Sequence, residues 1–170
     1  MFRSGPAGKG CSYRKITDTA NPGNAFQWFE SRGHTLPPTK PRLLLADDHE
    51  DLLREVTELL ERDFEVVAVV RDGAALLAHA ALLNPDVVVT DFKMPKLSGI
   101  DASRKLLEQG LCKAVVLLTM YADPQLVNNA LGAGIRGFVL KVKAGEDLIP
   151  AIQSALRGET FVSSFGPARV

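Results

Sequence analysis

From residue 42 onward the chain alternates short apolar runs, at 43–46, 64–70, 87–90, 114–118 and 137–140, with stretches of helical period. The runs are rich in Val and Leu and nearly continuous in apolarity, as expected of strands buried on both faces rather than on one. Between them, Leu52, Leu53, Val56, Leu59 and Leu60 mark one face of a first helix. An Ala/Leu-rich second helix over 73–83 ends at Asn84-Pro85. Ile100, Ser103, Leu106 and Leu107 mark a third, closed by Gly110. A fourth runs from about Pro124 to Ala133, with Leu126, Val127, Ala130 and Leu131 inward, and a fifth uses Leu148, Ile149, Ile152, Ala155 and Leu156 before Gly158. Strand–helix alternation of this kind builds parallel βαβ units with helices on both sheet faces. Right-handed crossovers leave few topologies. The expectation is an α/β fold: a doubly wound, five-stranded parallel sheet of order 2-1-3-4-5 with five helices. Pro150 falls inside the fifth helix, where its missing donor costs little if that helix starts near Glu146 or Asp147.

In such sheets ligands bind beyond the carboxyl ends of the strands, at the switch point of strand order. The polar residues that end the runs fall there: Asp47 and Asp48 after the first, Asp91 after the third, Thr119 after the fourth and Lys141 after the fifth. Carboxylates ~5 Å apart repel by roughly 3 kcal/mol per pair at an effective dielectric near 20, so three of them call for a cation. An all-oxygen set suits Mg²⁺, which keeps waters and commonly meets a phosphate. Asp47 and Asp48 could instead cap the helix that starts near Glu50, but that does not account for Asp91. Taken singly, Lys141 could be a surface lysine and Thr119 a strand-end hydroxyl. Together with the metal they would neutralise a phosphoryl group carried on a carboxylate, a chemistry that depends on positioning and electrostatics.

The rest of the chain is less informative. Residues 1–40 are rich in Gly and Pro, without a sustained period, and read as a flexible extension in which Ala25-Phe26-Gln27-Trp28-Phe29 is the one apolar cluster. A candidate domain spans 41–162 and a tail 163–170. Six Lys/Arg against two Asp/Glu give residues 1–40 a balance of +4, offset by −4 in the remainder, so the net charge is zero. No global pull toward nucleic acid or membrane follows. Arg14-Lys15 is the only adjacent basic pair in the extension, too sparse for a nucleic-acid arm. Cys11 and Cys112 lie far apart without metal-ligand spacing and read as free thiols of a reducing compartment. No run approaches the ~20 apolar residues of a membrane span, and the N-terminus lacks a signal-peptide core. A cytoplasmic protein is expected.

The segments Leu44-Leu45-Ala46-Asp47-Asp48-His49, Asp86-Val87-Val88-Val89-Thr90-Asp91-Phe92-Lys93-Met94-Pro95, Leu118-Thr119-Met120 and Gly137-Phe138-Val139-Leu140-Lys141 resemble the receiver domain of bacterial two-component response regulators. The Asp-Asp-His opening and the ending Ala155-Leu156-Arg157-Gly158-Glu159 resemble the NarL/FixJ subgroup. The resemblance covers roughly 41–162 and implies the flavodoxin-like receiver fold. It also implies that Asp91 is the phosphoacceptor for a sensor histidine kinase. Asp48 would bind Mg²⁺ directly, Asp47 largely through water, and the backbone carbonyl of Lys93 would complete the protein ligands, Asp91 included. Thr119 and Lys141 would each contact a phosphoryl oxygen. Phe138 matches the aromatic switch that turns inward as Thr119 moves. Lys93 and Tyr121 stand where family members modulate the phosphoryl lifetime. His49 is expected at the helix start rather than as an acceptor. Val142, not Pro, follows Lys141, which argues against a cis peptide there.

Competing chemistries fit less well. A haloacid-dehalogenase-type phosphatase needs an Asp two residues after the nucleophile, where Lys93 stands. FMN binding wants a Ser/Thr/Gly loop after the first strand, where Asp-Asp-His-Glu-Asp would repel phosphate, and no Walker A loop is present. A non-phosphorylated interaction domain stays open, as does a transcriptional regulator fragment without its DNA-binding part. Regulators of the NarL/FixJ kind continue into a LuxR-type helix-turn-helix domain, and Phe161–Val170 is too short for one. The expectation is therefore no direct DNA binding. Signalling is expected through a downstream protein or a homodimer, on the face of the fourth helix, fifth strand and fifth helix.

Overall fold

The computed structural model describes residues 39–164. The Ala25–Phe29 cluster, the Arg14-Lys15 pair, Cys11 and the last six residues lie outside that span. The chain runs β1 (Arg42–Ala46), α1 (Glu50–Leu60), β2 (Glu65–Val70), α2 (Gly73–Leu83), β3 (Val87–Asp91) and α3 (Gly99–Glu108). It continues through β4 (Ala114–Thr119), α4 (Pro124–Gly132), β5 (Gly137–Leu140), a 3-10 turn (Lys141–Lys143), α5 (Ala144–Leu156) and β6 (Phe161–Val162). The strands form one parallel sheet of order β2-β1-β3-β4-β5-β6.

The expected sheet of five strands is thus short by one. Phe161 pairs with Gly137 and Val162 with Phe138, so a two-residue strand covers the outer edge of β5. So short a piece carries no apolar period. Its pairing is made by backbone amides: Phe161 donates to the Arg136 carbonyl and Ser163 to that of Phe138, both at 2.8 Å. Hydrogen bonds continue to Ser164, which Lys143 holds.

Alternate residues of the inner strands feed two cores. Leu43, Leu45, Val87, Val89, Val116 and Val139 pack with α1 and α5. Leu44, Val88, Val115, Leu117 and Phe138 pack with α2, α3 and α4. Each such side chain contributes about 1.5–3 kcal/mol by leaving water, and β3 and β4 are buried at every residue. β2 is the exception to continuous burial: at the sheet edge, only Val70 of its six residues is buried. Leu131, expected inward, is 38% exposed, because it lies ~100° around α4 from the buried Ala130.

Helix starts follow local chemistry. Asp72, Ser98 and Asp123 cap α2, α3 and α4 by accepting backbone amides of the first turn, and Pro124 opens α4, where it has no donor to lose. α5 begins earlier than expected, at Ala144, so Pro150 lies beyond the first turn. Both Pro150 and Glu146, whose carbonyl loses its partner, are exposed, so water can take the missing bond. Among the described residues no helix is long and apolar enough to cross a membrane.

Candidate functional site

Strand register brings the polar strand ends together. Ala46 lies opposite Thr90, so Asp47 and Asp91 leave neighbouring strands at one level. Asp91 lies opposite Leu118, and Thr119 opposite Leu140, which puts Thr119 and Lys141 one residue further along the same edge. Lys141 Nζ is 2.7 Å from Asp47 Oδ2 and 3.1 Å from Asp91 Oδ1. Asp47, Asp91 and Thr119 are buried, and the Lys141 side chain is 6% exposed. The site opens onto a depression lined by His49, Glu50, Asp51, Leu52, Met120, Lys141 and Val142.

Among the described residues the charges here are not balanced. Asp47 Oδ1 accepts from the His49 amide at 2.9 Å and touches the His49 ring at 3.0 Å. Asp47 Oδ2 is buried without a hydrogen-bond partner, and its 2.7 Å contact with Lys141 is an ion pair rather than a directed hydrogen bond. Asp48 is more exposed and, among the described residues, meets the same His49 ring, at 2.8 Å. Burial pushes the Asp91 carboxyl above the usual range; Lys141 pulls it back and Asp47 pushes it further up. Ligand atoms of Asp47, Asp48, His49 and Asp91 lie within 4.8 Å of one another. Three carboxylates against one lysine, with a buried oxygen lacking a directed bond, fit a hard divalent cation such as Mg²⁺.

The helix-capping alternative for the acidic pair does not hold. The N-cap of α1 is His49, as expected of that residue, but it makes no side-chain cap bond and neither Asp47 nor Asp48 bonds an α1 amide. What sequence reasoning missed is the direction of the His49 ring, which turns into the acidic cluster.

Lys93 lies in the loop between β3 and α3. Its Nζ donates to Tyr121 Oη at 2.6 Å and stands 4.5 Å from the centre of that ring, while Phe92 meets Tyr121 edge-on with ring centres 6.1 Å apart. The Thr119 hydroxyl accepts from the Tyr121 amide at 3.1 Å, leaving its proton to give. Phe138 is already inward, fully buried in the core beside α2, α3 and α4. No peptide bond among the described residues is cis, the one after Lys141 included.

Two glycines that the sequence reading passed over hold this loop. A Cβ on Gly99 would sit 2.0 Å from the Asp91 carbonyl oxygen, and one on Gly73 would sit 2.5 Å from that of Leu97. The Gly99 amide donates to the Phe92 carbonyl at 2.9 Å, closing the loop on the strand it left. The available signal was a glycine opening a helix directly after its cap, Ser98, a place where glycine weakens the helix unless backbones must approach. Lys96 in the same loop has φ +67° and makes a 2.9 Å ion pair to Asp72.

Residues 43–153 match the family model of the response regulator receiver domain. The chain belongs to that family. This receiver is 31% identical over 125 residues to the transcriptional regulatory protein DegU of Brevibacillus brevis, covering 72% of this chain and 53% of DegU. It is 34% identical over 116 residues to the transcriptional regulatory protein PdtaR of Mycobacterium tuberculosis, covering 68% and 56%. Among solved structures it resembles the signal receiver domain of NarL from Mycobacterium tuberculosis, with a TM-score of 0.68 and 28% identity over 72% of this chain and all of that one. It also resembles the isolated receiver of RcsB from Salmonella enterica with the phosphomimetic BeF₃⁻, with a TM-score of 0.67 and 27% identity over 74% and 95%. The chain spans little more than half the length of those curated relatives. The flavodoxin-like receiver fold of a two-component response regulator is therefore established, with six strands in place of the expected five.

Proposed function

We propose that this receiver takes a phosphoryl group from a sensor histidine kinase onto Asp91. The observation that carries the reading is the Lys141 ammonium held 3.1 Å from Asp91 and 2.7 Å from Asp47 at the open edge of the sheet. In the step, a carboxylate oxygen of Asp91 forms the new bond to phosphorus. The P–N bond to the kinase imidazole breaks, and its electron pair leaves with the imidazole nitrogen. Lys141 supplies a fixed positive charge for one phosphoryl oxygen, and the Thr119 hydroxyl is free to donate to another. Asp47, Asp48, Asp91 and the Lys93 carbonyl would hold Mg²⁺, which supplies further neutralisation of the transferring group when bound. The close approach of the Gly99 backbone to the Asp91 carbonyl supports a fixed place for Asp91 in this step.

Two finer assignments belong to the same reading. The Lys93–Tyr121 pair spans the two loops flanking Asp91, and we assign it the role of restricting water and so lengthening the life of the acyl phosphate. The output is a protein contact, with a downstream partner or a second copy, on the face of α4, β5 and α5, switched through Thr119, with Phe138 already in the inward position that the switch would call for. The reading places the protein in the cytoplasm with its kinase's catalytic part.

Incubation with acetyl phosphate and Mg²⁺ followed by phosphate-affinity electrophoresis tests the central claim. One shifted band is expected for the native chain and none for Asp91→Asn. An unshifted native chain would leave an interaction domain that keeps the residues but not the chemistry.

A further inference from the structure

Past α5 the chain runs along the outer edge of β5, and one side chain there is out of keeping with a tail: Ser163 is 1% exposed. Its Oγ donates to Asp147 Oδ2 at 2.5 Å and accepts from the Leu140 amide at 3.3 Å. Its own amide donates to the Phe138 carbonyl at 2.8 Å. The next residue is held as well, since Lys143 Nζ donates to the carbonyl and the hydroxyl of Ser164, each at 2.8 Å.

These anchors are not scattered. Leu140 directly precedes Lys141, and Asp147 lies in the first turn of α5, just beyond the 3-10 turn that Lys141 opens. A single hydroxyl thus ties together the two segments that flank Lys141. On the inner side β5 is paired to β4 through Thr119 and Leu140, and on its outer side it faces β6, the strand that leads into Ser163.

We infer that Ser163 is a positioning residue for Lys141, and that the strap Phe161–Ser164 is linked through it to the filling of the phosphoryl site. The inference rests on the reading of Asp91 as phosphoacceptor. A phosphoryl group on Asp91 adds negative oxygens beside Lys141, and drawing the ammonium onto them costs less conformational entropy when the backbone at 140–141 is already held. Reciprocity then requires that filling the site tighten the strap by the same factor. The 3.3 Å bond to Leu140, the longest of the Ser163 contacts, has the most room to tighten.

The test uses the full chain with Mg²⁺, with and without beryllofluoride, and follows amide exchange at Phe161 and Ser163 together with amide shifts at Asp91 and Thr119. Exchange at Ser163 is expected to slow about 3- to 10-fold on addition of beryllofluoride, the size of one hydrogen bond's net contribution. Ser163→Ala should weaken beryllofluoride binding by a similar factor and abolish the change at Phe161, while Ser163→Thr, which keeps the hydroxyl, restores most of both. Protection at Val88 and Val115 reports whether the variant folds. If Ser163→Ala does not fold, Asp147→Ala removes one acceptor from a partly exposed position and should act in the same direction with smaller size. Shifts at Asp91 and Thr119 without slower exchange at Ser163 would overturn the strap and leave the phosphoacceptor reading intact. Absence of any shift would overturn both.

Discussion

Two aspartates bracket β3, and they live in opposite surroundings. At the N-terminal end of the sheet, Asp86 has both oxygens answered: Oδ2 accepts from the Arg42 amide at 2.9 Å and Oδ1 meets Lys113 Nζ at 2.7 Å. Those bonds, the one from Lys113 foremost, hold its carboxyl below the usual range. At the C-terminal end, Asp91 shares a single lysine with Asp47, and burial pushes its carboxyl up. The first aspartate stitches the starts of β1, β3 and β4 together. The second is kept short of positive charge, which costs stability and leaves room for a cation and a phosphoryl group. One strand thus carries a structural end and a chemical end.

The sharpest way to break that contrast is to remove the shared cation. Lys141→Ala leaves Asp47 and Asp91 buried and facing each other, so unfolding free energy in urea should fall by about 3–5 kcal/mol without metal. Added Mg²⁺ should recover part of it; a loss below ~1 kcal/mol would mean the site is already open to water. Next in size is Gly99→Ala. The new Cβ would press on the Asp91 carbonyl, costing about 1–3 kcal/mol and lowering acetyl phosphate labelling as Asp91 moves.

The two aspartates should then answer a neutral substitution with opposite signs. Asp86→Asn should lower stability at pH 7 by about 1 kcal/mol, since its partners are charged but part-exposed. With a folded-state carboxyl held low, that contribution is present above the ordinary value of 3.8 and lost as pH falls through the lower folded value. Urea melts of native and variant should therefore converge below pH 3.8. Asp91→Asn should instead raise the melting temperature at neutral pH. With a carboxyl pushed up in the fold, the native protein gains stability relative to the variant as pH falls through the folded value toward 3.8, so the advantage of Asn narrows on acidification. A stabilising Asp86→Asn or a destabilising Asp91→Asn would reverse the comparison.

The smallest effects belong to the exposed loop pair. Lys93→Ala and Tyr121→Phe should each change stability by less than ~0.5 kcal/mol. Each should shorten the acyl-phosphate lifetime about 2- to 5-fold, followed by loss of the shifted electrophoretic band. An unchanged lifetime would confine control of water to the buried site.

Much of this was readable from residues alone. The runs ending at Ala46, Thr90, Leu118 and Leu140 locate four strands to within a residue, because apolar runs of strand length carry that information locally. The same runs hand over directly to Asp47, Asp91, Thr119 and Lys141. What stayed hidden involves partners distant in sequence. β6 has no period to detect, and Ser163 is defined by Leu140 and Asp147, 23 and 16 residues away. The edge place of β2 was contained in the expected order 2-1-3-4-5, but its Val-rich run reads locally as buried on both faces, and that burial is not found. The early start of α5 also escaped, since nothing in Ala144-Gly145 marks a cap.

By itself, then, the chain's pattern determined the parallel α/β alternation and the set of polar residues delivered to one sheet edge, since strand length and side-chain period are short-range properties. The tertiary structure alone decided how those residues share their charges. It put Lys141 between Asp47 and Asp91, turned His49 onto Asp47 and Asp48, pressed Gly99 against the Asp91 carbonyl and closed Ser163 over both flanks of Lys141. Such contacts depend on register between strands and on where the chain returns after its last helix, and neither is written in any local stretch of sequence.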